Sequence, residues 1–450
     1  MSIQDIGYLN YFGYDCTYVQ EGMNYYILPT DSNSNIFGHS QEKDFPIQFS
    51  DKLNKKCVAF VQEQSGGIEH VTLKLTYIAK LLRDEEIDSF IMTGNEIDEF
   101  FSPLDYYFTS KTQGEYKPSD LLYSQDVVAH YSFSYLKKPV EIDVVYGNVL
   151  SEGIRSDLIL HPQLIVHIEK TRDLEYIYGV SNVVTTFLQF VHRKKSINLR
   201  NLELYGQIHS KRAHLGYMFS NLYNLDLRSH SRIDASFRCY GTKIQAILSL
   251  ISDDAKFPIS HLQEMVHNPF EYSAERFSAL CAAFEHECER NSILYEQKSD
   301  NNDILRQRII NYINDISTTD NGEIDYKKNA VNRIESLGRQ RGFRGKILNA
   351  YKVNADAFKD SIEHILYREK SIEKVSTQLA DLRGKVVHKE MGYKFNEQEI
   401  EAIRFLEILQ FVMTLRRATY TPPEIEMIIG VLYSCNMKYW DKVINNQQLF

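Results

Sequence analysis

The hydrophobic period of this chain changes once, near "DDAKFPISHLQEMVHNPFEYS" (Asp253–Ser273), and that change limits which folds are open to it. Before it, apolar residues mostly alternate. "VTLKLTY" sets Val71, Leu73, Leu75 and Tyr77 on one side, and "VEIDVVY" does the same with Val140, Ile142, Val144 and Tyr146. This is the period of two of a strand with one buried face. "LILHPQLIVHI" reads as two apolar strands broken at Pro162, because proline cannot donate to a ladder. One helix interrupts them: "SNVVTTFLQFVHRKK" gathers Val183, Val184, Phe187, Leu188 and Val191 on a single face, after which "SINLRNLELYG" resumes as a strand.

Beyond Pro258 and Pro269 helical spacing takes over. "ERFSALCAAFEHECER" places Phe277, Leu280, Cys281, Phe284 and Cys288 on one stripe, "DILRQRIINYINDI" is a second helix, and "YKKNAVNRIESL" a third that stops at Gly338. Ile372, Val375, Leu379, Leu382 and Val386 make the stripe of a later helix that ends by Gly392. In "NEQE", Asn396 and Glu399 can satisfy each other's free amides before an apolar helix running to about Arg417. Pro422 and Pro423 open one more. The expected architecture is α+β in two domains: a mostly antiparallel β domain with a few helices over 1–258, and an all-α bundle of five or six helices over 265–450.

A chain of 450 residues is too long for one ordinary core, and 43% hydrophobic with 25% charged residues is a globular composition. The start, "MSIQDIGYLNYFGYD", lacks a basic stretch followed by an apolar one, and no run of about 18 apolar residues occurs, so the expectation is a cytoplasmic protein without a membrane partner. The six cysteines are dispersed with no C-x-x-C, and the fourteen histidines form no H-x-x-x-H. No metal and no cofactor is therefore expected, and the cysteines read as reduced core thiols. A net charge of −9 argues against nucleic acid as a partner of the whole surface. The charge is uneven, however. Residues 1–264 carry 25 basic against 33 acidic residues, 265–450 carry 26 against 27, and Arg333–Lys394 carries 14 against 8.

Inside that basic stretch lies "LADLRGKVVHKE", Leu379–Glu390, with Arg383 and His388 five positions apart. On one helix they would stand about 140° apart around the axis. A comparable pair, Arg155 and His161 in "GIRSDLILH", falls among strands and reads as chance on a sheet surface. Arginine and histidine suit RNA cleavage. RNA carries its own nucleophile, the 2′-hydroxyl; histidine titrates near neutrality, and the guanidinium fork matches phosphate oxygens. "GRQRGFRGK" adds Arg339, Arg341, Arg344 and Lys346 around Phe343. Either this stretch grips phosphates while Phe343 stacks on a base, or it is a charged turn with Phe343 in the core.

An R-x4-H motif at the end of a core helix in an all-α C-terminal bundle resembles the HEPN superfamily. With the sheet-rich N-terminal part containing "GVSNVVTTFLQFVHRKKSINLRNLEL", the chain is similar to ApeA-type abortive phage-resistance proteins. The resemblance implies a metal-independent endoribonuclease, active on RNA with tRNA among its possible substrates, assembled as a homodimer through the HEPN domain and arresting phage-infected cells. It makes Arg383 and His388 the catalytic residues and gives the N-terminal domain a sensing role toward a phage-derived trigger. Relatives carry a polar residue directly after the arginine, where Gly384 stands here; Lys385, next to it, joins Arg339, Arg341, Arg344 and Lys346 as a candidate RNA contact. The alternative is a non-catalytic HEPN module that holds RNA or a protein and is coupled to an N-terminal ligand sensor.

Overall fold

A computed structural model of the chain describes residues 5–11, 14–21, 24–30, 46–50, 55–66, 71–102, 127–150, 158–220, 237–263, 272–290, 302–317, 321–339, 342–358, 365–366, 371–389 and 393–433. Two compact units divide it, one of residues 1–257 with 264–266, the other of 258–263 with 267–450. Among the described residues, the first combines an antiparallel barrel with a second sheet and four helices, and the elements of the second are helical. No helix among the described residues is long and apolar enough to cross a membrane.

The barrel uses β1 (Asp5–Tyr11), β2 (Tyr14–Glu21), β3 (Asn24–Pro29), β4 (Pro46–Ser50), β5 (Lys56–Gly66) and β6 (Val71–Leu81) in the order 3-2-1-4-5-6. β3 then pairs back onto β6, from Asn24 opposite Lys74 to Ile27 opposite Val71, and the ring closes. Closure gives every strand of the ring two neighbours, although β1 and β4 share a single ladder position, Tyr8 opposite Ser50. Inside, Tyr18 stacks on Tyr25 at 5.0 Å between centroids and meets Phe49 edge-on at 5.1 Å. Such pairs add about 0.5–1.5 kcal/mol each beyond the area they bury. The Tyr25 hydroxyl, buried with them, donates to Gln20 Oε1 at 2.9 Å. Gly7 faces Tyr18 across the ladder, and a Cβ there would come within 2.7 Å of the Tyr18 ring, so the glycine makes room for the aromatic.

β6 serves two sheets. Val71–Lys74 completes the barrel, while Tyr77–Leu81 pairs with β12 (Lys211–Ser220). The second sheet continues antiparallel through β11 (Leu202–Ile208), β7 (Ile87–Met92), β10 (Leu158–Thr171), β9 (Lys138–Leu150) and β8 (Val127–Tyr135). The alternating residues of β6 and β9 are buried as their period requires. β10, however, runs unbroken through Pro162, which lies opposite Tyr146 of β9. The proline sits where one edge of the strand is open, since pairing with β7 begins only at Leu164.

The helices of this unit are α1 (Asn95–Phe100), α2 (Leu174–His192), α3 (Phe237–Tyr240) and α4 (Ile244–Asp253). α2 starts well before Ser181, at an Asp173 cap that accepts from the Tyr176 amide at 3.0 Å. Its burial is not confined to one face: Thr185, Gln189 and Phe190 are as enclosed as Val184 and Leu188. A helix enclosed nearly all round is an interior helix, and α2 is one, with Thr185, Gln189 and His192 buried beside its apolar residues. At its end a buried charge cluster ties α1 down. Lys194 Nζ lies 2.6 Å from Glu96 Oε1 with both side chains 2% exposed, and Glu96 Oε2 accepts from the Asn198 amide at 2.6 Å. His192 Nε2 donates to the Glu96 carbonyl at 2.9 Å.

Burial, and then the Lys194 charge, hold the His192 imidazole well below its ordinary pKa of 6.5. Glu99 Oε2, 3.9 Å from Nδ1, is too far to hydrogen-bond. The unfolded chain therefore takes up a proton that the folded one refuses, so stability present above pH 6.5 is lost as pH falls below it, by at most about 1.4 kcal/mol per unit. Urea midpoints measured between pH 7 and 5 should show this slope, and His192→Gln should flatten it; an equal slope in the variant would assign the effect elsewhere.

The second unit contains α5 (Ala274–Arg290), α6 (Asn302–Asp315), α7 (Asn321–Arg339), α8 (Phe343–Asn354), α9 (Ile372–Lys389), α10 (Glu397–Arg417) and α11 (Pro422–Leu432). α10 is its hub, buried without a break from Phe405 to Leu415 and packed on α5, α8, α9 and α11. As its sequence suggests, Asn396 and Glu399 cap its start reciprocally at 2.9 and 3.0 Å. Two ion pairs pin α5 to α10. Arg276 meets Glu407 at 3.0 Å, with the Tyr272 hydroxyl donating to the same carboxylate at 2.6 Å, and Arg417 forks onto Glu287 at 2.7 and 3.1 Å. Eleven residues separate the α5 partners and ten the α10 partners, so the two helices run in the same direction.

Candidate active site on α9

Helix α9 buries Ile372, Val375, Leu379, Leu382 and Val386 along one side, the stripe expected from its spacing. Arg383 follows Leu382 at the border of that stripe, with its side chain 35% exposed. Its guanidinium forks onto Glu285 of α5, Nη2 to Oε2 at 2.7 Å and Nη1 to Oε1 at 3.3 Å. Beneath it lies Phe343, the first residue of α8, with the guanidinium carbon 4.7 Å from the ring centroid. Phe343 is itself buried and meets Phe284 edge-on at 5.6 Å. Lys346 Nζ reaches the same Glu285 carboxylate at 3.0 Å.

The α9 helix continues to Lys389, so His388 sits on the same uninterrupted helix as Arg383. Five residues of rise separate their backbones by about 7.5 Å along the axis. The side chains of His388 and Arg339 and the whole of Arg341 lie outside the described residues. Of the other candidate cations, Lys346 is engaged with Glu285, while Arg344 and Lys385 are exposed. Arg344 and Lys385 line an open groove of about 540 Å³ beside Lys374, but Glu373, Asp381 and Glu399 line it too. The groove is therefore balanced in charge. Glu373 is held below its usual range first by its own backbone hydrogen bond and then by the Ser371 hydroxyl, with Arg344 a smaller cause.

Of the two readings of this stretch, the one with Phe343 in the core holds for that residue. Phe343 is not available to stack on a base, because Phe284 on one side and Arg383 on the other enclose it; it belongs to the core. Lys346 is paired with Glu285 and keeps 30% of its side chain exposed. Glu285 was not among the candidates. It lies 98 positions before Arg383, and its one local trace is an acidic residue directly after the apolar stripe member Phe284. Nearby, burial pushes the Cys281 and Cys288 thiols up to about 12 despite the opposing charges of Arg383 and Lys346, so both are protonated at neutral pH. Among the described residues no cluster of His, Cys, Asp and Glu could hold a metal ion. His161, the second histidine of interest, hydrogen-bonds Asp98 of α1 at 3.1 Å, and Arg155 lies outside the described residues.

No family model, no curated protein and no solved structure matches the chain.

Proposed function

We propose that the helical unit is a metal-independent endoribonuclease of the HEPN type, with Arg383 as the phosphate-binding cation and His388 as the general acid or base. The observation that carries this reading is the preset arginine. Glu285 fixes the guanidinium from one side and Phe343 supports it from below, while about a third of the side chain stays open to solvent. A guanidinium has five N–H donors and the carboxylate takes two, so donors remain for a phosphate oxygen. Such a fixed cation stabilises the charge that builds on a phosphorane-like transition state without reorganising during the reaction. His388 follows at the end of the same helix, where an imidazole can exchange a proton with the 2′-hydroxyl.

In this reading two copies of the chain contribute an arginine and a histidine each to one cleft, in the cytoplasm, and RNA cleavage arrests a phage-infected cell. The β-rich unit senses a phage-derived trigger, and tRNA is among the RNAs to be tested. A second reading, a non-catalytic module that holds RNA or protein, draws on Glu285 occupying both Arg383 and Lys346. It also draws on Gly384, an exposed position where a Cβ would meet no atom within 4 Å, so that space alone would have admitted a polar residue. The deciding experiment incubates the full chain with RNA in excess EDTA and maps the ends. The endonuclease reading expects 2′,3′-cyclic phosphate ends from the wild type and none from His388→Ala. RNA bound but left intact by the wild type would favour the second reading, and a need for a divalent ion would reject the metal-free mechanism.

A further inference from the structure

The groove lined by Arg344 of α8 and by Gln378, Asp381, Leu382 and Lys385 of α9 has a division of labour that its balanced charge hides. Its carboxylates are not equivalent. Glu399 accepts from the Asn396 amide and the Tyr393 hydroxyl, both at 2.9 Å, and Glu373 accepts from the Ser371 hydroxyl at 3.0 Å. Asp381 is exposed, and its side chain, like those of Gln378 and Lys385, holds no hydrogen bond or ion pair among the described residues. The groove therefore presents one free carboxylate and one free carboxamide three positions apart on a helix, where side chains are neighbours. Leu382 is the apolar member of the lining, and the exposed cations Arg344 and Lys385 flank these groups.

A groove of about 540 Å³ has the size of a small-molecule site and admits one unstacked nucleotide. Sequence-specific RNA recognition works on such bases, read at their Watson–Crick edges. The free groups discriminate among the four. A carboxylate accepts two parallel N–H bonds, and guanine alone presents two adjacent donors on that edge, N1–H and the N2 amino group, with O6 beside them to accept from the Gln378 amide. Adenine and cytosine would turn a ring-nitrogen lone pair toward the carboxylate, and uracil has a single N–H between two carbonyls. We infer that the groove is a guanosine subsite, with Asp381 and Gln378 reading the base and Arg344 and Lys385 holding its phosphate. This rests on the endoribonuclease reading and deepens it: Lys385 stands three positions before His388 on α9, so the guanosine held here flanks the bond that is cut.

Calorimetric titration of the full chain with 5′-GMP, IMP, AMP, CMP and UMP tests the subsite without any need for cleavage. GMP should bind about 10- to 100-fold tighter than AMP, CMP or UMP, the usual discrimination of one bidentate base contact, and IMP, which lacks the N2 amino group, should fall between. Asp381→Asn keeps the shape but exchanges one acceptor for a donor, so the preference for GMP over AMP should disappear. Asp381 is exposed and makes no side-chain bond among the described residues, so the thermal midpoint of that variant should match the wild type. Lys385→Ala should weaken GMP and AMP alike, because a phosphate contact carries no base information. His388→Ala should keep the preference, which separates this site from the catalytic reading: a chain that prefers GMP yet cuts no RNA would remove the nuclease and leave the subsite, and a chain that cuts RNA but binds all five nucleotides equally would do the reverse. Absence of GMP binding, or a preference for GMP that survives Asp381→Asn, would overturn the subsite.

Discussion

Lys194→Met should lower the stability of the β-rich unit by about 3–5 kcal/mol, the usual cost of removing one partner of a buried ion pair. Both side chains are 2% exposed, and the Glu96 carboxylate has no water to turn to when the ammonium is gone. Its remaining hydrogen bond, from the Asn198 amide at 2.6 Å, cannot balance a full charge. Adding Glu96→Gln should recover at least half of the loss, because a neutral amide oxygen still accepts from Asn198 while no charge is left buried. Urea unfolding of the two single variants and the double variant measures the coupling. A single-variant cost below about 1 kcal/mol would mean that the pair is solvated and that α1 is held by other contacts.

What the sequence made legible follows its local physics. The alternation in β6 and β9, the stripe of α9 and the Asn396–Glu399 cap each depend on residues within a few positions of one another, and each is present as its spacing suggests. The features that escaped depend on distant pairing. Barrel closure rests on Asn24 finding Lys74, which no window along the chain reveals. Pro162 reads as a strand break until it is clear that only one of its two edges is paired. α2 reads as one-faced because Thr185, Gln189 and His192 are polar, yet the surrounding elements enclose them all the same. At the candidate site, Arg383 and His388 were visible as a motif, but the carboxylate that sets the arginine's direction was not. Phe343 shows why: two arginines flank it within "RGFR", and its burial is decided by Phe284 and Arg383, both from other helices.

Arg383→Ala should reduce RNA cleavage by about 10²–10³-fold, the range observed when one preorganised donor to a developing oxyanion is removed. Folding should tolerate the change. The Arg383–Glu285 pair is partly solvated and the ring contact modest, so together they contribute on the order of 1–2 kcal/mol. Glu285 gives the sharper test, because as a positioning residue it acts through Arg383 and its loss should split the kinetic constants. Glu285→Gln keeps the shape and one acceptor but removes a negative charge from between two cations, Arg383 and Lys346. Local potential toward RNA then becomes more positive, and KM should fall. The guanidinium, no longer held by two charge-assisted bonds, spends less time in the reactive direction, and kcat should fall by roughly 10-fold. A merely structural Glu285 would lower both activity and thermal midpoint while leaving KM unchanged. A variant with tighter RNA binding and undiminished kcat would show that the carboxylate restrains the site instead of aligning it, and Arg383 would then need a different source of orientation.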